Sequence, residues 1–138
     1  MSGQALLRVG YQNIDGIDFS EEMLEYAREK QTYRNLWQED LNALAEIKTG
    51  PYEAVFAAGI ISPSHAKPET IDLGLSALRP NGIMVFSFND HALKDDIFMA
   101  KIGELKKNKN ITFLEEIYGD HIKKLVLKAT VYVIQKLS

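Results

Sequence analysis

A chain of 138 residues, 46% hydrophobic and 25% charged, has the length and composition of one water-soluble globular domain. Its 19 acidic and 16 basic side chains leave a formal net charge of −3, which argues against a basic, phosphate-coating surface and against a nucleic-acid partner. With no cysteine, it excludes disulfides, a thiolate nucleophile and Cys-based zinc or iron–sulfur centres.

Residues 2–9 place Ala5, Leu6 and Val9 on one helical face, and Gly10 provides a natural stop. This opening has one arginine and no small-residue cleavage site, so it does not read as a signal peptide. No apolar run approaches the roughly 18 residues of a membrane span, so a cytoplasmic location without a membrane partner is expected. Residues 13–19 read as a short buried strand with Asp18 near its end. Ser20 then suits an N-cap, with Glu21 and Glu22 at the positive end of the helix dipole. Met23, Leu24 and Ala27 form the buried stripe of that helix, which runs to about Gln31.

A second strand is predicted over residues 36–40 and a short helix over 41–47. After the break at Gly50-Pro51, the apolar run 52–61 has the pattern of a strand buried on both faces. A helix over 68–78, a turn at Arg79-Pro80-Asn81-Gly82 and a strand over 83–88 follow. A long helix from about Leu93 to Lys107 comes next, with Lys106 and Lys107 at its negative end. Two strands, 111–118 and 124–135, close the chain. Strict alternation of strands and helices implies right-handed crossovers and a parallel sheet. Residues 119–122 leave room only for a tight return, so the last strand is expected to run antiparallel to its predecessor. There is no repeat and no linker, and residues 1–138 read as a single α/β domain.

Four segments resemble, in order and spacing, the motifs of class I S-adenosylmethionine-dependent methyltransferases. Residues 14–24, containing Asp18-Phe19-Ser20-Glu21-Glu22-Met23-Leu24, are similar to their second-strand motif. Gln38-Glu39-Asp40-Leu41 is similar to the third, Tyr52-Glu53-Ala54-Val55 to the fourth, and Leu78-Arg79-Pro80-Asn81-Gly82 to the turn before the fifth. With residues 59–65, Gly59 to His65, the chain most resembles the small methyltransferase-like proteins of the Williams–Beuren-region type. The resemblance implies a Rossmann-like sheet with an antiparallel last strand, S-adenosylmethionine as cofactor, and methyl transfer to a small-molecule or protein acceptor.

The residues themselves admit two readings each. Asp18, at the carboxyl end of a strand, can accept ribose hydroxyl protons or serve the helix that follows it. Phe19 and Met23 can wall an adenine ring or belong to the core. Asp40, 22 residues after Asp18, accepts from the adenine amino group in the family, with Leu41 beside it; alternatively it caps the predicted helix. Ala57 and Gly59 are small enough to admit the methionine part of the cofactor, or simply a packed helix. His65 and His91 can take a proton from the acceptor, or be exposed loop residues without a catalytic role. Metal-ligand spacing, a phosphate loop of the G-x-x-x-x-G-K-[ST] form and the G-x-G-x-x-G of dehydrogenases are all missing.

One departure from the family pattern shapes the expectations. The glycine-rich loop that follows the family's first strand has no counterpart, and Met1 to Leu7 resembles the residues just after it. Read as an N-terminal truncation, this predicts weak or lost cofactor binding. It also predicts a gap of about 9.5 Å in the sheet, two inter-strand spacings, and hence self-association. The alternative function is a non-catalytic binding or oligomerisation module.

Overall fold

The computed structural model describes residues 3–122 and 127–138. The chain divides into two compact units, Met1–Leu44 and Ala45–Ser138. Its elements are α1 (Gly3–Arg8), β1 (Asp15–Asp18), α2 (Glu21–Glu29), β2 (Asn35–Gln38), β3 (Tyr52–Ala57), α3 (Thr70–Ser76), β4 (Leu78–Asn89), α4 (Asp90–Leu93), α5 (Asp96–Lys107), β5 (Ile111–Ile122) and β6 (Leu127–Lys136). No helix among the described residues is long and apolar enough to cross a membrane.

In the first unit β1 and β2 pair in parallel, with Asp15 opposite Asn35 and Asp18 opposite Gln38. The start of the pair is fastened by Arg34, whose Nε and Nη2 donate to the two carboxylate oxygens of Asp15 at 3.1 and 2.7 Å. Gly16 is a glycine for steric reasons, since a Cβ there would sit 2.8 Å from Leu36 Cδ2 and 3.1 Å from the Tyr33 ring. Gly3 packs similarly against Tyr33, where an added Cβ would sit 2.7 Å from a ring carbon, and its N–H donates to the Tyr33 hydroxyl at 3.0 Å. α1 ends as expected on Gly10, whose φ is +102°. Ser20 caps α2 by accepting the Met23 N–H at 3.3 Å, and Leu24 is the residue of that helix driven fully into the interior.

The second unit carries a four-stranded sheet in the order β3-β4-β6-β5. β3 and β4 are parallel, while β6 runs antiparallel to both β4 and β5. The expected reversal of the last strand is therefore present, and β6 is inserted between its two predecessors. Alternate residues of β4 and β6 build the core: Met84 faces Ile134, Phe86 faces Tyr132, and all four are essentially solvent-free. The Phe86 and Tyr132 rings stack at 5.0 Å between centroids, and Phe88 meets Phe98 of α5 edge-on at 5.5 Å. At about 1.5–3 kcal/mol for each large side chain, this aromatic layer is the main cohesive term of the unit. α3 approaches closely because Gly74 leaves room for the Met84 thioether, which would lie 2.7 Å from an added Cβ. Lys136 bridges its end to the start of β4, its Nζ donating to the Leu75 and Leu78 carbonyls at 3.0 and 3.1 Å.

Several expected boundaries are corrected. No helix forms over 41–47; the segment is a turn followed by irregular chain. Asp40 closes that turn through its own carbonyl, and a single such turn has too little apolar surface to propagate. β3 stops at Ala57, because Gly59 turns the chain with φ +78°. Its residues before Ala57 are half-buried or exposed, where burial on both faces was expected. The predicted turn at residues 79–82 is an interruption inside β4: Tyr52 pairs with Leu78 and Ala54 with Ile83, and Asn81 takes φ +67°. The predicted long helix begins at Asp96 instead of Leu93, since the Asp95 carboxylate accepts from the N–H groups of Ile97 and Phe98 and caps its start, and the short helix α4 before it was not expected. β5 continues to Ile122, four residues beyond its expected end, and the expected start of the last strand at Lys124 lies outside the described residues. β1 and β3 belong to different sheets.

Candidate functional site

In open parallel sheets, ligands bind beyond the carboxyl ends of the strands, where helix N-termini and loops converge. At that end of the first unit lie Asp18, Phe19, Met23, Gln38, Asp40 and Leu41. Asp18 Oδ1 accepts the Ser20 N–H at 2.9 Å, and the Asp18 carbonyl accepts the Glu39 N–H at 3.1 Å. Ser20 and Met23 then begin α2, so one carboxylate oxygen organises the strand-to-helix turn. Both readings of Asp18 are thus compatible, because the other oxygen has no protein donor among the described residues.

Phe19 is 71% exposed and Met23 54% exposed. Neither belongs to the core, so that alternative falls. Two large apolar side chains flank the carboxylate with their surfaces facing water, an arrangement with a hydrophobic cost unless something flat covers them. Gln38, the cross-strand partner of Asp18, donates its Nε2 to the Phe19 carbonyl at 3.1 Å and fixes the main chain beneath that ring. Asp40 Oδ1 accepts the Asn42 N–H at 2.9 Å, so it caps the turn that replaced the expected helix, and Leu41 is half-buried beside it.

The second unit carries its own candidates at the carboxyl end of β3. Ala57 is buried, and the Gly59 N–H donates to the Ser87 hydroxyl of β4 at 2.8 Å. The loop that follows folds back on itself, with Ala66 N–H bonded to the Ile60 carbonyl and Ser62 N–H to that of Ala66. His65 is exposed, and its Nδ1 lies 2.8 Å from the Ser62 hydroxyl and 3.1 Å from that of Ser64. Two hydroxyls on one ring nitrogen fix the plane of the imidazole. His91 is exposed on α4 and not in a loop as expected. Its neighbour Asp90 accepts from the Tyr118 hydroxyl at 2.8 Å. Among the described residues no three His, Asp or Glu side chains are grouped to hold a metal ion.

The structure therefore gathers Asp18, Phe19, Met23, Asp40 and Leu41 in one unit, and Ala57, Gly59, His65 and His91 in the other. Gln38 and Ser62 lie inside the motif segments without a role assigned from the sequence, and Ser87 lies outside them. Gln38 and Ser87 owe their positions to cross-strand register, for which the local pattern carries no signal. Ser62 had one, its position three residues before a histidine in a turn.

The methyltransferase domain family matches residues 2–86. No curated protein matches the sequence. Among solved structures, a class I S-adenosylmethionine-dependent methyltransferase of Listeria monocytogenes superposes with a TM-score of 0.68 at 16% identity, over 99% of this chain and 48% of that one. A second S-adenosylmethionine-dependent methyltransferase from Listeria monocytogenes gives 0.71 at 16%, over 97% and 84%. The N-methyltransferase NodS of Bradyrhizobium japonicum, in complex with S-adenosyl-L-homocysteine, gives 0.64 at 11%, over 99% and 86%. The chain spans about half the length of the first of these. The likeness establishes the fold: an α/β Rossmann-like sheet with its last strand antiparallel, as in class I methyltransferases.

Proposed function

We infer, since the chain belongs to the methyltransferase domain family, that it serves transfer of a methyl group from S-adenosylmethionine to an acceptor. The observation that carries this reading is the solvent-facing pair Phe19 and Met23 beside the Asp18 carboxylate at the strand ends. That donor-free oxygen and two apolar surfaces fit the ribose and adenine of the cofactor, and Asp40 stands at the end of the neighbouring strand. When bound, the cofactor supplies an electrophilic methyl on a sulfonium. In the second unit, the family resemblance assigns the small residues Ala57 and Gly59 to the methionine part, and Ser87 holds the Gly59 loop in place.

The chain's work is then positioning and exclusion of water around an in-line displacement. An acceptor that carries a proton must lose it, and His65 is the group proposed to receive it. Its Nδ1 is held by Ser62 and Ser64, so the ring is oriented in advance. His91 is the second candidate. The resemblance to the Williams–Beuren-region proteins, a cytoplasmic location and self-association belong to the same proposal.

Weak cofactor binding by the 138-residue polypeptide is also proposed. None of its described glycines forms a loop of successive glycines, and Gly3 is occupied in packing on Tyr33. The methionine carboxylate would be desolvated without backbone partners, which costs affinity. Calorimetry with S-adenosylmethionine and S-adenosylhomocysteine tests both points. Weak heats at millimolar ligand are expected. A low-micromolar dissociation constant overturns the reading of weak or lost binding, and heats that Asp18→Ala leaves unchanged remove Asp18 from the site. Light scattering over a concentration series tests self-association, and a strictly monomeric species removes it.

A further inference from the structure

We propose that Gln38 is a specificity residue for a ribonucleoside, accepting one hydroxyl of the ribose cis-diol while Asp18 accepts the other. The inference rests on the cofactor reading above and adds a residue to it. Asp18 and Gln38 are direct partners in the parallel ladder of β1 and β2, so their side chains leave the same face of the sheet, on strands about 4.8 Å apart. Both are the last residues of their strands, and both reach the strand ends where ligands of such sheets bind.

The orientation of the Gln38 carboxamide follows from its partner. The Phe19 carbonyl can only accept, so the atom 3.1 Å from it must be the amide nitrogen. The Oε1 atom therefore points away from Phe19 and presents acceptor lone pairs on an exposed side chain. Asp18 is arranged in the same way, with Oδ1 spent on the Ser20 N–H and Oδ2 remaining. Two acceptors side by side, each immobilised by its other atom, match a ligand with two adjacent donors. A ribose offers such a pair in its 2′ and 3′ hydroxyls, and the Phe19 and Met23 surfaces next to them suit the attached base. A deoxyribose or an isolated purine base offers fewer donors. Recognition by fixed acceptors discriminates against analogues that lack the hydroxyl, because a held polar group is then left without a partner.

The test uses the isotopically labelled 138-residue protein and nuclear magnetic resonance titrations, which read millimolar affinities. The probes are adenosine, 2′-deoxyadenosine and 3′-deoxyadenosine, added to the wild-type protein and to Gln38→Met, which keeps side-chain length and removes the acceptor. In the wild type, both deoxy analogues bind more weakly than adenosine. Because Gln38→Met also removes the donor to the Phe19 carbonyl, the sign is selectivity: adenosine weakens about fivefold more than one of the two deoxy analogues does, the scale of one hydrogen bond between uncharged groups. If Gln38 serves only to steady Phe19, the variant weakens all three nucleosides alike, and that result overturns the proposal while leaving the cofactor reading in place. Unchanged adenosine affinity in the variant does the same. If adenosine shifts no resonance of residues 18–23 or 38–41 in the wild type, the cofactor reading falls and the proposal with it. Emission of the single tryptophan, Trp37 on the same strand, reports whether the variant keeps its fold.

Discussion

Tyr132 lies in the middle of the aromatic layer, 1% exposed, between Phe86, Phe88 and Phe113. Burial, and after it the negative charge of Glu116, pushes its phenol from an ordinary value near 10 up to about 12. The phenolate is disfavoured in the folded chain and free to form in the unfolded one. The resulting stability is complete below pH 10 and is lost as the pH rises through the folded value near 12. With those two values the loss specific to Tyr132 is small at pH 9 and reaches about 1 kcal/mol at pH 11, roughly half of what is lost once the pH has passed the folded value. Tyr132→Phe keeps the ring stacking and removes the proton. Urea unfolding followed by near-ultraviolet circular dichroism, at pH 9 and pH 11, compares the two proteins. Between these pH values the wild-type midpoint should fall by about 1 M more than that of the variant, at a slope near 1 kcal/mol per molar urea. Parallel losses in both proteins would show that the Tyr132 phenol is not desolvated, and would refute the packing reasoning behind it.

In a longer polypeptide that also carries the family's first strand and glycine-rich loop, Asp18→Ala should weaken S-adenosylhomocysteine binding by about 1.5–3 kcal/mol, the scale of a hydrogen bond to a charged group, and Asp40→Ala by less; titration calorimetry ranks them, and a larger loss at Asp40 reverses the assignment. Ser20→Ala should cost about 1 kcal/mol of stability in the first unit through the lost N-cap, read from Trp37 emission during unfolding. In the second unit, burial lowers the Lys101 ammonium pKa, but the hydrogen bond and charge of Asp72, with help from Glu104, outweigh it and hold the value raised. The pair therefore stabilises below pH 10.5 and the effect fades above it. Asp72→Ala should cost about 1–2 kcal/mol, discounted because Asp72 is half exposed, and Glu104→Ala less; thermal unfolding at pH 7 measures both, and the opposite order counts against the ranking.

Much of this protein is decided locally, and that part was legible in the sequence. Asp18 before Ser20 specifies a strand that ends and a helix that begins, because a carboxylate and a hydroxyl within reach of free N–H groups settle the turn whatever surrounds it. Gly10 stops α1 for the same kind of reason, and the two consecutive strands at the end of the chain admit no connection but an antiparallel one. What lay beyond the sequence depends on partners far along the chain. The helix expected at residues 41–47 did not form, because its apolar residues lack the packing that would sustain a short helix. Residues 79–82 have the composition of a turn, and only the β3 ladder shows that β4 begins before them and runs through. Phe19 and Met23 have the composition of a core, and only their exposure in the folded unit separates a binding wall from a buried one. Gln38 is the clearest case. It lies 20 residues from Asp18, and only the paired strands, with Asp15 opposite Asn35 and Asp18 opposite Gln38, make them neighbours; the Arg34–Asp15 ion pair stands at the start of that ladder.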